Sequence, residues 1–415
     1  MIRKGRVVSS VLIVLLAFVS IFGIFPALTR IQTDFPNYYT AGVIARTGVG
    51  VERLYDDHWF QQQIYAQGIS ELGKFSPFPP PTALLFIPLS WFTPLTALRI
   101  LTLINILLLA GTVRLLAKLF SVSVRESCVF VLLSGLAVVN CFRFGQLYIA
   151  LMFTMVLSYY WLTKRRTLPA GLAAGILLPV KYFSAVLVLF FLLKREWKAA
   201  LATLATCGLL LCLSVAVLGW RIHEEWLLTV VGQHLQSHLT QQNPFSMNFQ
   251  SLDSLCRRLF VFDAALNPRP MLDAAILYPT TKYLSIVVVL AATASVVARM
   301  ATRNAVSENA FALLSVAALL VAPATATYHF LLLCLPVGIL LAGFQAGGYT
   351  RLFWLTLAAY CAIGFLPYKF FAQFDGHSAL TLLAYPRLWL LTILFFISFR
   401  TAAREMNSSA LLSVR

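Results

Sequence analysis

The sequence predicts an all-α polytopic membrane protein with about twelve transmembrane helices and long extracytoplasmic loops. Three observations carry that prediction. Hydrophobic residues make up 60% of the chain and charged residues 11%, with a mean hydropathy of +0.82, whereas a soluble domain carries roughly 25% charged residues. The 415 residues are spent on apolar runs, many of them near the ~20 residues that cross a bilayer. Lys and Arg recur in short clusters between those runs, the pattern that orients a membrane chain. Residues 1–415 are therefore read as one integral membrane domain with no separate soluble part.

The first apolar run, Val7 to Leu28, is long enough to span and lacks a small-residue cleavage site, so it is expected to stay as an uncleaved helix. Arg3, Lys4 and Arg6 precede it and place the amino terminus in the cytoplasm. The first external loop then covers about residues 30–79 and holds five of the fifteen acidic residues: Asp34, Glu52, Asp56, Asp57 and Glu71. A connection this long, rich in acid, aromatic and proline, points to function. Residues 80–118 read as one net crossing with a re-entrant or half-length piece, broken at Thr93-Pro94, because two full crossings would put Arg114, Lys118 and Arg125 outside.

Spans are expected at about 126–141, 146–163, 167–180, 182–194 and 197–219, stapled on the cytoplasmic side by Lys164, Arg165 and Arg166 and by Lys194, Arg195 and Lys198. A second external loop covers about 220–280 and contains His234, His238, Asn243 and Asn248. Spans at about 281–299, 308–324, 328–345, 351–371 and 384–399 then return Arg400 and Arg404 to the cytoplasm, giving twelve crossings with both ends inside. The formal charge of +17 follows this membrane pattern, not a groove, so no nucleic-acid partner is expected.

The seven cysteines form no CxxC pair, and no metal site or disulfide framework is read from them; nothing in the sequence supports a Cys141–Cys256 bridge on the outer side. No phosphate-binding glycine loop, zinc-protease or hydrolase motif is present in a usable context, and no internal repeat. No cofactor is expected.

What remains is a set of polar residues that the topology brings to one membrane face: Asp34, Asp56, Asp57 and Lys74; Arg143 and Gln146; Lys181; Asn248, Gln250 and Ser251; and His329. Each has a purely structural alternative. Asp34 beside Pro36 can cap a short interfacial helix, and Asp56-Asp57 can cap one running from His58 to Gln67. Lys181, embedded between Pro179 and an apolar run, must either snorkel or pair with an anion. His329 can be a satisfied interfacial histidine, and Arg143 can hold lipid phosphates without a catalytic part.

An ordered series of short motifs adds a family reading. Asp34 with Tyr38-Tyr39-Thr40-Ala41-Gly42, then Leu54-Tyr55-Asp56, the proline run before Ala83-Leu84-Leu85, Pro88-Leu89, Gly145-Gln146, the Gly171 to Lys181 segment ahead of Trp197, Gln250-Ser251-Leu252 and Tyr328-His329 resemble glycosyltransferase family 87. These are polyprenyl-phosphate-mannose-dependent mannosyltransferases of the GT-C superfamily. The resemblance implies a GT-C-type helical bundle in the cell membrane, with its site on the extracytoplasmic face. Carried over by position, it implies Asp34 as the catalytic base. The sequence departs from the family pattern after Lys181, where Tyr182-Phe183 stands in place of a nearby proline, and at His329, which is single and follows Tyr328.

Inverting transfer needs a base that takes the acceptor hydroxyl's proton and cations that stabilise the departing lipid phosphate. Lys181, Arg143 and His329 are the candidates for the phosphate; Tyr38, Tyr39, Tyr55, Asp56, Gln146 and Gln250 are candidates for contacts to substrate. The expected partners are a polyprenyl-phosphate-sugar donor, a glycolipid, glycan or protein acceptor, and membrane lipids. The competing reading is a secondary transporter or lipid flippase, which twelve spans would suit; a non-catalytic scaffold is the third.

Overall fold

The computed structural model describes residues 2–235, 243–303 and 305–412; His238, part of the second external loop as read from sequence, lies outside them. Among the described residues the chain is helical, with no strand beyond a single bridge between Asp263 and Asn267. Among the described residues, six helices are long and apolar enough to cross a membrane: Arg6–Thr29, Pro94–Phe120, Trp197–Leu218, Leu277–Thr302, Thr327–Ala346 and Pro386–Met406. Up to eight spans result if each of two bent pairs is one span, and four further apolar helices are shorter. The polytopic membrane class stands. Large exposed apolar side chains, among them Ile13, Val14, Leu107, Leu201, Leu209, Val287 and Phe396, are what a lipid-facing surface requires.

The spans expected at about 126–141 and 351–371 are each a bent pair of helices. The first is Val124–Leu132 plus Leu136–Arg143 at 78°, and the second Thr350–Phe365 plus Tyr368–Phe374 at 81°. Gly135 takes the left-handed φ of +54° at the first break, where a Cβ would come within 2.7 Å of the Gly364 carbonyl oxygen, so helix cannot continue there. Pro367 follows the end of Thr350–Phe365 at the second. Residues 80–118 hold one long helix, Pro94–Phe120, preceded by the short turns Pro81–Phe86 and Leu89–Trp91. Residues 30–79, read from sequence as the first external loop, contain helices Phe35–Thr47 and Asp57–Ala66. Cys141 and Cys256 are both free thiols.

The chain divides into two compact units. One comprises Met1–Leu132, Ala137–Val188 and Glu196–Gln242; the other comprises Leu133–Leu136, Leu189–Arg195 and Asn243–Arg415. In the first, Gly42 lets the Phe35–Thr47 helix lie against Pro81–Phe86, since a Cβ there would meet Phe86 at 2.7 Å. Gly171 and Gly175 do the same for Thr167–Ile176 against Trp197–Leu218: added Cβ atoms would lie 2.2 Å from the Ala199 carbonyl oxygen and 2.6 Å from Thr206. Glycines four apart permit the close backbone approach that stands in for hydrophobic driving force in lipid. In the second unit, Glu308–Val321 is buried along most of its length and packs on Cys334–Ala346 and the Pro386–Leu412 helix.

Candidate active site

The first unit assembles the site around Asp34. Its backbone takes φ 77°, ψ −48°, immediately before the Phe35–Thr47 helix. A non-glycine residue there carries strain of about 1–3 kcal/mol, the kind that clusters at functional sites. Asp34 occupies the N-cap position, yet its side chain makes no cap hydrogen bond. Instead Oδ2 accepts from Gln146 Nε2 at 2.6 Å, and Gln146 Oε1 accepts from the Tyr38 hydroxyl at 2.8 Å. Oδ1 has no hydrogen-bond partner among the described residues.

Gln146 reaches Asp34 because of Gly145. The Leu136–Arg143 helix ends with Gly145 in the left-handed region at φ +63°, and the Gln146 amide closes the turn on the Cys141 carbonyl at 2.9 Å. A Cβ at Gly145 would meet Phe35 at 2.9 Å, so the turn sits directly on the residue after Asp34.

Lys181 lies in the break after Thr167–Ile176, its amide bonded to the Leu177 carbonyl at 2.8 Å. Its Nζ stands 4.5 Å from the Phe78 ring centroid, 5.1 Å from Tyr148 and 5.8 Å from Tyr38. Ring faces attract the cation but satisfy none of its three donors, and no hydrogen bond or ion pair engages Nζ among the described residues. Asp34 and Lys181 keep some accessible surface while being ringed by protein atoms. Burial raises the Asp34 carboxyl above its ordinary value, opposed by the Gln146 hydrogen bond and the charge on Lys181. Burial also brings the Lys181 amine down to about 8, against the opposing effect of Asp34. In both, loss of solvation outweighs the mutual attraction of opposite charges.

The other sequence candidates fall in several places. Arg143 is half-buried; its Nε donates to Gln32 Oε1 at 2.5 Å, two residues before Asp34. Tyr39 is buried and bonded to the Phe92 carbonyl at 2.8 Å, while Tyr55 donates to the Phe78 carbonyl at 2.7 Å and so braces the ring under Lys181. Asp56 caps Asp57–Ala66, accepting from the Trp59 amide at 3.0 Å and from Arg53 at 2.7 Å. Both contacts, the cap first, hold its carboxyl below the ordinary value.

Gln250 and His329 belong to the second unit. Gln250 ties segments together: its side-chain amide donates to the Met247 and Ala384 carbonyls, each at 3.2 Å, and accepts from the Arg387 amide at 3.3 Å. His329 is buried, stacked on Tyr328 at 4.9 Å, with Nδ1 3.0 Å from the Ala326 amide. Among the described residues no group of three or more His, Cys, Asp or Glu could hold a metal ion. The sequence reading missed Phe78 and Tyr148 as walls for Lys181. Their signals were the proline run and the Gly145-Gln146-Leu147-Tyr148 turn.

In comparison with known proteins, a polyprenol-phosphate-mannose-dependent α-(1-2)-phosphatidylinositol mannoside mannosyltransferase of Mycobacterium tuberculosis is 30% identical over 185 residues. That match covers 39% of this chain and 42% of the relative, well under half of either. No solved structure matches significantly. The profile of glycosyltransferase family 87 matches residues 77–336, which is more than half of the chain and includes Arg143, Gln146, Lys181, Gln250 and His329 but not Asp34. On that match the chain belongs to glycosyltransferase family 87.

Proposed function

We propose that this protein is a membrane hexosyltransferase that moves mannose from a polyprenyl-phosphate-linked donor to an extracytoplasmic acceptor by inversion. The observation that carries the reading is the presence, within one unit, of a strained carboxylate having one open oxygen, Asp34, and a cation, Lys181, whose Nζ no hydrogen bond or ion pair engages among the described residues. A transporter would place such groups at the bilayer midplane on repeated elements, and here they sit at helix ends.

In the proposed step the acceptor hydroxyl oxygen attacks the anomeric carbon while its proton passes to Asp34 Oδ1. The bond from that carbon to the phosphate oxygen breaks and its electron pair stays on the phosphate, giving a polyprenyl phosphate dianion. Lys181 stabilises that developing charge, with Arg143 as a second cation. The leaving group needs no acid, unlike that of a glycoside hydrolase.

The reading counts the six long helices, the two bent pairs and the four shorter apolar helices as twelve crossings, and by the positive-inside rule puts both termini in the cytoplasm. The relative's named acceptor, a phosphatidylinositol mannoside, makes a phosphoglycolipid the acceptor class of choice. Purified protein in lipid, given a panel of polyprenyl-phosphate sugars and phosphatidylinositol mannosides, should consume the mannosyl donor and lengthen the glycolipid. Consumption of none of the donors would end the reading.

A further inference from the structure

Arg387 is 1% exposed. Its Nη1 donates to Thr327 Oγ1 at 2.6 Å, while Nε and Nη2 have no hydrogen-bond partner among the described residues. Among the described residues no carboxylate forms an ion pair with it. A guanidinium cannot shed its proton in a protein, so burial does not relieve this charge, and a buried cation without a counter-ion is strongly disfavoured. The two unused nitrogens form one edge of the guanidinium fork, the geometry that takes two oxygens of one anion side by side.

Its setting fits an anion as well. Arg387 is the second residue of the Pro386–Leu412 helix, whose first turn presents the positive end of the helix dipole. Its amide is held on Gln250 Oε1 at 3.3 Å, which fixes where the side chain starts. Phe330 and Tyr368 lie 6.0 and 5.7 Å from the guanidinium carbon. Tyr368 is half-buried, with its ring beside the guanidinium and its hydroxyl bonded to the exposed Asn248 side chain. At the end of a membrane span the abundant anion is a lipid phosphate.

We propose that Arg387, with Thr327 and beside Tyr368, binds the phosphodiester of a lipid headgroup, either a phosphoinositide-type acceptor or a polyprenyl-linked donor. Binding, not turnover, is what the proposal concerns, so it stands or falls separately from the chemistry assigned to Asp34 and Lys181. The full chain in zwitterionic nanodiscs would be treated in parallel with photoactivatable phosphatidylinositol and a photoactivatable polyprenyl phosphate. Crosslinks would be mapped by peptide mass spectrometry. The expected result is crosslinking to the segments around Tyr368 and Arg387 by at least one probe, falling tenfold or more in Arg387→Met without a lower thermal midpoint. Which probe reacts identifies the lipid. No crosslinks at those segments from either probe, or undiminished crosslinks in folded Arg387→Met, would overturn the proposal. Should that variant not fold, competition on the unaltered protein decides: excess glycerophosphoinositol or mannosyl phosphate that leaves the crosslinks unchanged overturns it as well.

Discussion

Gln146 holds the Asp34 carboxylate at 2.6 Å from one end of its amide and takes the Tyr38 hydroxyl at 2.8 Å on the other. The amide thus fixes which oxygen of Asp34 is occupied and which is open. It also opposes the upward effect of burial on the Asp34 carboxyl.

Removing that donor should therefore be visible in the pH dependence. With Gln146→Leu, Asp34 should protonate at higher pH than in the unaltered protein, so the acid limb of the kcat profile moves toward neutrality. The orphaned Tyr38 hydroxyl should cost about 1–3 kcal/mol of stability. An acid limb that stays in place would show that Asp34 does not control it.

Asp34→Asn keeps the shape and removes the base, so turnover should fall by a factor on the order of a hundred to ten thousand. Donor binding, measured without acceptor, should persist. Asp56→Asn should leave turnover nearly unchanged, because Asn caps a helix about as well as Asp. If the two variants exchange these outcomes, the base is misassigned within the segment.

Lys181 should set the alkaline side. An amine whose value is brought down to about 8 is charged below that pH and neutral above it, so affinity for an anionic donor should be lost as pH rises through roughly 8. Lys181→Met should weaken donor binding by tenfold or more at pH 7 and flatten the alkaline limb. A limb that persists unchanged in this variant would assign the titration to another group.

Cysteines introduced at Asp57 and Arg165 should separate in labelling by an impermeant maleimide. Asp57→Cys should react from outside intact cells, and Arg165→Cys only after permeabilisation. The opposite pattern would place the site in the cytoplasm and remove the lipid-linked donor from its reach.

Class and most helix positions were legible because long apolar runs report membrane-length helices directly. The bends were not: Gly135 reads as one small residue in an apolar run, and only the approach of the Gly364 carbonyl makes it a break. Asp34 and Lys181 could be singled out because each is an ionisable group beside a span. Their connection could not, since it depends on the left-handed turn at Gly145 and on Phe78 and Tyr148 meeting one amine. Arg387 was invisible for a related reason. A basic residue opening a span reads as a headgroup anchor, and nothing in the chain announces that two of its nitrogens are left over.

The glycines at 171 and 175 reach beyond packing. Because they seat one helix backbone against its neighbour, the level at which Lys181 emerges is gauged from the Trp197–Leu218 helix and not from the connection that carries it. Under the proposed function, a lipid-anchored substrate with little freedom to rise or sink would need the amine at its level beforehand. Two absent methyl groups thus act as the depth gauge for Lys181.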